Sequence, residues 1–373
     1  MIYYIPLFIL YFVLGLYELD HKVAVKKRNL YTFFLLLPMF ILVAFRSENI
    51  GNDTLSYLNA YENISELKTI DKLIAFSVVS HMEPGFLFLN FIGGKLNMSY
   101  FIFQVTLTSY IYISFYYFIR KYAPNIGLCV CLLMASDMGG TMNVVRMYLA
   151  LSTLLFAIPF ILRRKWIRFY IIVIIASTLH ASSLLFAIMY PLCAMKYDRK
   201  KTVSLIVGAG VIAFVGAAFF SWFTSEIGMY DNYVTDDRFK NMNMTAVTID
   251  LIIGLLYYFC AYYSGLFRVP QYETNSHRKR KLYISFEYYL HMALLITLCL
   301  GVVGLSNNIM GRVTHYFSFV LSFLLGVSLY RYRSPLLRFF IYMIFVGYHI
   351  SWFFAVLILR PEWNQINPYE WGF

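Results

Sequence analysis

Charged side chains are scarce in this chain: only 13% of its 373 residues are Asp, Glu, Lys or Arg, whereas 60% are hydrophobic. A soluble domain carries about 25% charged residues. Too few polar side chains remain to cover a surface that faces water, so the composition excludes a soluble globular protein and indicates a polytopic membrane protein. The net charge of +12 is therefore interpreted through the loops between membrane spans, and we expect no nucleic acid partner.

Residues in metal-binding arrangements are also missing. The five cysteines lie in apolar stretches, and none has a histidine at metal-ligand spacing: Cys129, Cys131, Cys193, Cys260 and Cys299. They are interpreted as small apolar side chains of membrane helices. The sequence has neither an Asp-x-Asp motif nor two histidines four residues apart. We therefore expect a site without a metal ion and a protein without a cofactor.

Long apolar runs dominate the rest of the chain. Segments of about 20 residues, the length that a helix needs to cross the hydrocarbon core, are 3–19, 30–45, 99–119, 124–142, 144–162, 202–223, 249–267, 284–304, 313–330 and 335–358. Residues 84–97 are apolar but too short, and residues 169–195 are too long and are broken at "STLHASS". The expected fold is an all-α polytopic integral membrane protein with about ten transmembrane helices in a single domain, residues 1–373.

Basic residues are concentrated in a few short segments. Twenty-two of the 31 Lys and Arg residues lie in 20–29, 120–121, 163–168, 196–201, 267–281 and 331–338. Cytoplasmic loops are enriched in Lys and Arg, and one topology puts all six segments in the cytoplasm with both termini outside. Residues 46–98 and 224–248 are then predicted to be periplasmic loops.

This topology also determines how the two irregular stretches, 84–97 and 169–195, cross or enter the membrane. Residues 84–97 begin and end outside, so we predict an amphipathic segment that dips into or lies along the outer leaflet. Residues 169–195 have basic segments on both sides, which predicts a re-entrant hairpin with His180 at its tip. Irregular backbone at this depth is tolerated only where it is buried in protein or lines a wet cavity. One long tilted helix is the alternative, and it would force a basic loop to the outside.

Several charged or titratable residues from separate segments share one predicted depth, at the outer ends of spans or at a break. They are Arg46, Asp53, Glu83, Arg146, His180 and Arg312. Charged groups at this depth are costly unless they face a cavity or a partner. Three guanidinium groups favour an anion with several oxygens, such as a diphosphate. Asp53, Glu83 or His180 is a candidate base for an attacking hydroxyl, although a single Arg or His at such a depth is more often an anchor or a helix-to-helix contact.

Four short motifs follow one another in the order of a known family. They are Arg46…Gly51-x-Asp53-Thr54-x-x-Tyr57, Glu83-Pro84-Gly85-Phe86, Arg146-x-x-Leu149-Ala150 and His180-Ala181-Ser182-Ser183. With these motifs, and with Arg312 before a closing pair of spans, roughly residues 1–350 resemble the EpsG/Wzy family of bacterial polysaccharide polymerases. One departure is Met147, where family members often have Gln.

The resemblance implies a function and a place in the cell. Such proteins join oligosaccharide repeat units carried on undecaprenyl diphosphate at the periplasmic face of the inner membrane, by metal-independent glycosyl transfer with a GT-C-like fold. The expected partners are that lipid-linked oligosaccharide, membrane lipid, and a chain-length regulator and a flippase of the same pathway. The expected catalytic residues are His180, Asp53 and Glu83, and the expected ligands of the diphosphate or sugar are Arg46, Arg146, Arg312 and Tyr57.

Three other functions stay open at this point. One is a purely structural subunit of an assembly, against which the charged residues at the outer rim argue. A lipid-linked oligosaccharide flippase or other transporter would need charged residues at mid-membrane and usually internal symmetry, whereas this chain has its charges at the outer rim and no repeat. A membrane acyltransferase that modifies a glycan would usually have a histidine near the cytoplasmic side, whereas His180 is predicted on the opposite side.

Overall fold

The computed structural model describes residues 1–80, 82–195, 204–205, 207–208, 211, 244–268, 270–274, 282–304 and 308–373. The chain is largely helical in these ranges, as the composition and the apolar runs predict. Most of the predicted span 202–223 and of the predicted loop 224–248 lies outside the described residues.

Helices follow one another with short connections from the N-terminus to residue 194. They are α1 (Tyr4–Tyr17), α2 (Arg28–Ala44), α3 (Thr54–Ser65), α4 (Ile70–Ser80), α5 (Pro84–Lys95), α6 (Tyr100–Tyr122), α7 (Ile126–Ser136), α8 (Met138–Asn143), α9 (Val145–Leu155), α10 (Ile158–Leu162), α11 (Trp166–Leu179) and α12 (Met189–Ala194). Two 3-10 helices, Val25–Lys27 and Ala181–Ile188, precede α2 and α12.

The later part of the chain adds five helices among the described residues. They are α13 (Met244–Tyr263), α14 (Phe286–Gly304), α15 (Asn308–Ser318), α16 (Leu321–Arg331) and α17 (Pro335–Leu359), with 3-10 helices at Leu266–Arg268 and Pro361–Trp363. Two short strands, β1 (Tyr272–Thr274) and β2 (Leu282–Ile284), pair antiparallel with Glu273 opposite Tyr283. This strand pair was not predicted from the sequence.

Six helices of the described chain are long and apolar enough to cross a membrane: Val25–Ala44, Tyr100–Tyr122, Val145–Leu162, Phe286–Gly304, Val313–Arg331 and Pro335–Leu359. Each coincides with a predicted span. Predicted span 3–19 is the 14-residue α1, and predicted span 124–142 is interrupted at Asp137, between α7 and α8. A multi-pass architecture is therefore confirmed, whereas the number of about ten spans and the GT-C-like arrangement stay predictions.

Contacts divide the chain into two compact units. The first comprises Met1–Ile158, Tyr170–Leu184 and Leu329–Phe373, and the second comprises Pro159–Phe169 and Leu185–Ser328. In the second unit α14 packs against α13 and α15. The prediction of one membrane domain stays a prediction.

Three predicted cytoplasmic loops meet at one end of the first unit. Arg28, at the start of α2, donates hydrogen bonds to the carbonyl groups of Arg120 and Ala123 near the end of α6. Arg338, in the first turn of α17, lies 3.0 Å from the carboxylate of Asp20, which follows α1. The ends of these helices that carry basic residues therefore lie together, as the distribution of Lys and Arg predicts.

The opposite end of the first unit carries the sequence motifs. The backbone N–H of Ser47, just after α2, donates to the carbonyl oxygen of Glu370 at 3.0 Å, and the N–H of Gly372 donates to that of Phe45 at 2.9 Å. The side chain of Asn52 reaches the backbone near the end of the chain as well. The last residues of the chain therefore fold back over the polar segment that follows α2.

Helices α3, α4 and α5 form a small core of their own, built from Ala60, Ile64, Leu73, Leu87 and Phe91. The predicted segment 84–97 is thus a helix that packs against α3 and α4. On its other side α5 exposes a row of large apolar residues spaced by four positions: Phe88, Ile92 and Leu96. Such a row suits contact with lipid, and the position of the segment along the outer leaflet stays a prediction.

The predicted break around His180 is present. Helix α11 ends at Leu179, and a 3-10 helix begins at Ala181. In the last turn of α11, the hydroxyl groups of Ser177 and Thr178 each donate to a carbonyl group three residues earlier, a pattern that competes with helix continuation. The re-entrant path of residues 169–195 stays a prediction.

Candidate functional site

One carboxylate joins three distant segments at the end of the first unit that carries the motifs. Oε2 of Glu83 lies 2.5 Å from Nη1 of Arg146, and Oε1 lies 2.7 Å from Nδ1 of His180. The backbone N–H of Ala181 also donates to Oε1, at 3.1 Å. Three residues that the sequence suggested as separate site residues are thus in direct contact, and we call Glu83, Arg146 and His180 the Glu83 cluster.

The turn before α5 places Glu83. Its backbone is extended (φ −65°, ψ 140°), and Pro84 is the first residue of the helix, as expected for a residue before proline and for proline at a helix start. Gly85 then lies directly on the end of α11, since a Cβ there would be 2.7 Å from the carbonyl oxygen of Thr178. Only glycine permits this approach, which brings Glu83 within reach of His180.

Gly85→Ala is therefore expected to destabilise the protein, because the added methyl group forces α5 away from Thr178. Overpacking of this kind costs about 1–3 kcal/mol, and thermal unfolding of the purified protein should begin several degrees lower. Gly347→Ala is the matched control, since a Cβ at Gly347 has no described atom within 4 Å. Equal melting temperatures for the two variants would contradict the tight contact.

Arg146 is held on several sides. It lies in the first turn of α9, which starts after a non-helical residue, Val144 (φ −93°, ψ 58°). Its guanidinium carbon is 5.8 Å from the centre of the Tyr57 ring and 5.9 Å from that of Phe86. The two rings pack edge to face, 5.6 Å apart. Cation–π attraction therefore adds to the ion pair with Glu83 in fixing the guanidinium group.

The hydrogen bond with Glu83 determines which ring nitrogen of His180 can accept a proton. An ionised carboxylate only accepts hydrogen bonds, so Nδ1 of His180 donates to Oε1. In a neutral ring, Nε2 is then the acceptor. The side chain of His180 is 26% exposed, which leaves part of the ring accessible to a ligand.

Glu83 itself is ionised at physiological pH. Burial raises the pKa of this carboxyl group, but the hydrogen bond from His180 and the positive charge of Arg146 outweigh burial and lower the pKa to about 2. A general base works best when its pKa is near the operating pH. Glu83 is therefore better suited to orienting His180 and Arg146 than to taking a proton.

Tyr57 and Asp53 lie beside the cluster, at the start of α3. Burial raises the pKa of Tyr57 to about 12; the charge of Arg146 opposes this rise, and that of Asp53 adds to it. The Tyr57 hydroxyl is thus protonated at physiological pH. Asp53 directly precedes α3, is partly exposed, and makes no capping hydrogen bond from its side chain to the first turn. Their predicted roles stay predictions.

The guanidinium group of Arg46 is bonded to backbone carbonyl groups. Its side chain is buried, with only 1% of the residue exposed, and its Nη1 and Nη2 atoms donate to the carbonyl groups of Val43 at 2.6 Å and Met142 at 3.0 Å. Burial lowers the pKa of Arg46 to about 10, so the side chain remains a cation. Arg46 links the end of α2 to α8, and its predicted contact with a diphosphate stays a prediction.

Gly51 allows the polar segment after α2 to pack closely against α8. Its φ is +98°, and a Cβ would lie 2.8 Å from a carbonyl oxygen of α8, so only glycine suits both the conformation and the space. The neighbouring N–H of Asn52 donates to Oδ1 of Asn143, and Nδ2 of Asn143 lies 3.0 Å from both oxygens of Asn364. Asn143 and Asn364 were not predicted from the sequence; the one available signal was that Asn143 lies three residues before Arg146.

Arg312, the last residue predicted to bind the diphosphate or sugar, lies in α15 of the second unit. Its side chain falls outside the described residues, so its predicted contact with a diphosphate stays a prediction. Among the residues that the structure describes, no group of three or more His, Cys, Asp and Glu side chains is arranged to hold a metal ion.

The fold and the site define a multi-pass helical membrane protein with a Glu–Arg–His cluster at one end of its first unit. The chain belongs to the EpsG family, whose model matches residues 29–371. This confirms the resemblance predicted from the four motifs. No curated protein and no solved structure matches the chain. Membership of the family supports a polysaccharide-polymerase type of function in general.

Proposed function

We propose that this protein is a glycosyltransferase that polymerises undecaprenyl-diphosphate-linked oligosaccharide repeat units at the periplasmic face of the bacterial inner membrane. Its membership of the EpsG family supports this proposal. The observation that carries it is the Glu83 cluster, in which a carboxylate is bonded to a partly exposed histidine and to an arginine. The product is an O-antigen, a capsule or an exopolysaccharide.

The reaction is a substitution at the anomeric carbon of the growing chain. Nε2 of His180 takes the proton from an acceptor hydroxyl at the non-reducing end of an incoming repeat unit. The hydroxyl oxygen forms a bond to the anomeric carbon, the bond from that carbon to the diphosphate breaks, and undecaprenyl diphosphate leaves with the electron pair. Glu83 stabilises the imidazolium that forms, as a carboxylate next to a catalytic histidine does in other enzymes.

The position of the cluster in the first unit supports a periplasmic reaction. Arg28 and Arg338 lie together at the far end of α2 and α17, in loops whose positive charge favours the cytoplasm. Helix α2 alone has 17 residues, which separates its two ends by about 25 Å. A donor that reacts at the outer face must first cross the membrane, so we propose that a flippase and a chain-length regulator work in the same pathway.

The test is reconstitution of the purified full-length protein in lipid nanodiscs with its native lipid-linked repeat unit. We expect a ladder of glycans spaced by one repeat unit, and no ladder from a heat-denatured preparation. The same experiment in liposomes tests two of the alternatives. Movement of the lipid-linked unit across the bilayer without elongation would favour a flippase, and a mass increase equal to one acyl group would favour an acyltransferase.

A further inference from the structure

The charges around the Glu83 cluster indicate which of the two substrates, the acceptor or the donor, binds there. We infer that the cluster receives the acceptor, through an uncharged sugar hydroxyl, and that the diphosphate of the donor binds to other groups. This inference rests on the proposed function. It differs from the expectation that Arg146 and Arg46 share one diphosphate.

Arg146 has little capacity left for a phosphate. Its Nη1 is paired with Glu83 at 2.5 Å, and its guanidinium carbon lies 5.8 Å from the centre of the Tyr57 ring. Its Nε is buried and has no hydrogen-bond partner among the described residues, so that edge of the guanidinium group is out of reach of a ligand. Bidentate binding of a phosphate uses two neighbouring N–H groups of the planar fork. Although 23% of the Arg146 side chain is exposed, either pair of neighbouring nitrogens includes Nη1, which is paired with Glu83, or Nε, which is covered.

The carboxylate of Glu83 balances the charge of Arg146. The two groups are in direct contact, 2.5 Å apart, and the same carboxylate contacts His180. Arg46 is moreover bonded to backbone carbonyl groups and covered. A diphosphate would bring several negative charges to a group with no excess positive charge, and buried charges without partners are strongly unfavourable. A sugar hydroxyl brings no charge.

The geometry of the reaction gives the same assignment. In a direct displacement, the attacking oxygen and the leaving group lie on opposite faces of the anomeric carbon. The base must reach the proton of the attacking hydroxyl, and His180 is that base in the proposed mechanism. Glu83, which contacts His180, therefore lies on the acceptor side, and its other carboxylate oxygen holds Arg146.

The test measures the affinity of the full-length protein in nanodiscs for undecaprenyl diphosphate alone, which carries the donor's diphosphate but no sugar. Glu83→Gln removes a negative charge from the cluster, and Arg146→Gln removes a positive one. We expect both variants to bind this probe with a Kd within about twofold of wild type, while each forms polymer at least about tenfold more slowly. The two measurements together separate loss of the acceptor from loss of the donor.

Opposite shifts in Kd would overturn the inference. If the cluster held the diphosphate, Glu83→Gln would tighten binding of undecaprenyl diphosphate and Arg146→Gln would weaken it by about tenfold or more. Arg338→Gln is the control, because it breaks an ion pair of 3.0 Å at the other end of the first unit. Absence of polymer from the folded wild type would overturn the proposed function, whereas polymer from the wild type with opposite shifts in Kd would overturn the inference alone.

Discussion

His180→Gln is expected to be made and inserted at wild-type abundance and to elongate glycan about a hundred- to ten-thousandfold more slowly than wild type, the usual contribution of a positioned general base. The amide group of Gln can still donate a hydrogen bond to Glu83, which His180 contacts at 2.7 Å. It has no nitrogen that accepts a proton at neutral pH. The variant therefore keeps the contact and loses the basicity. The measurement is the rate of ladder formation by purified protein in nanodiscs, with single-repeat glycan in cells as a second readout.

The control for this variant is His21→Gln. His21 lies at the opposite end of the first unit, exposed and stacked on Tyr17 at 4.3 Å between ring centres. Its replacement should leave the rate of elongation unchanged. Long polymer from His180→Gln at wild-type abundance would leave the histidine a structural contact and would move the base to Asp53, which lies near Tyr57 and the cluster.

The sequence was sufficient to predict the membrane class, the position of six spans among the described residues and candidate residues of which Glu83, Arg146 and His180 are in contact. Charge scarcity and apolar length determine the spans, and the clustering of Lys and Arg predicts which helix ends lie together, as Arg28 beside Arg120 illustrates. The break at His180 was also predictable, because hydroxyl side chains next to a histidine interrupt a long apolar run.

The burial of Arg46 and the fold-back of the last residues depend on tertiary contacts, which the sequence did not reveal. A buried arginine and an accessible one look alike in a sequence, so the sequence did not show that Arg46 is buried and donates to carbonyl groups of α2 and α8. The fold-back of the last residues over the segment after α2 depends on backbone hydrogen bonds, such as that of Ser47 with Glu370. No pattern of side chains in the sequence predicts such backbone hydrogen bonds.

Glu83→Gln is expected to slow elongation about as much as His180→Gln, although the two amino acids have nearly the same shape. The ionised carboxylate accepts a hydrogen bond from Nδ1 of His180, which leaves Nε2 as the base. The side-chain amide of Gln can instead donate to Nδ1, and the proton of the ring then sits on Nε2. The nitrogen that faces the acceptor would carry a proton and could not take another, a change of tautomer that costs several orders of magnitude in rate in other histidine-dependent enzymes.

The same substitution also removes the ionic partner of Arg146, so some destabilisation is expected besides the loss of rate. Glu362→Gln is the matched control, since that carboxylate is more than half exposed and lies 3.6 Å from Arg360. Exposed pairs contribute about 0–1 kcal/mol, and this variant should retain both the melting temperature and the rate.

The double variant His180→Gln/Glu83→Gln separates orientation of the base from general support of the fold. If Glu83 acts through His180, removal of the carboxylate changes little once the base is gone, and the double variant should be no more than a fewfold slower than His180→Gln alone. Two independent roles would instead multiply the two losses in rate. Rates measured at equal abundance of folded protein in nanodiscs, below the melting temperature of every variant, give the answer. A product of the two single effects would contradict the assignment of Glu83 as the positioning residue for His180.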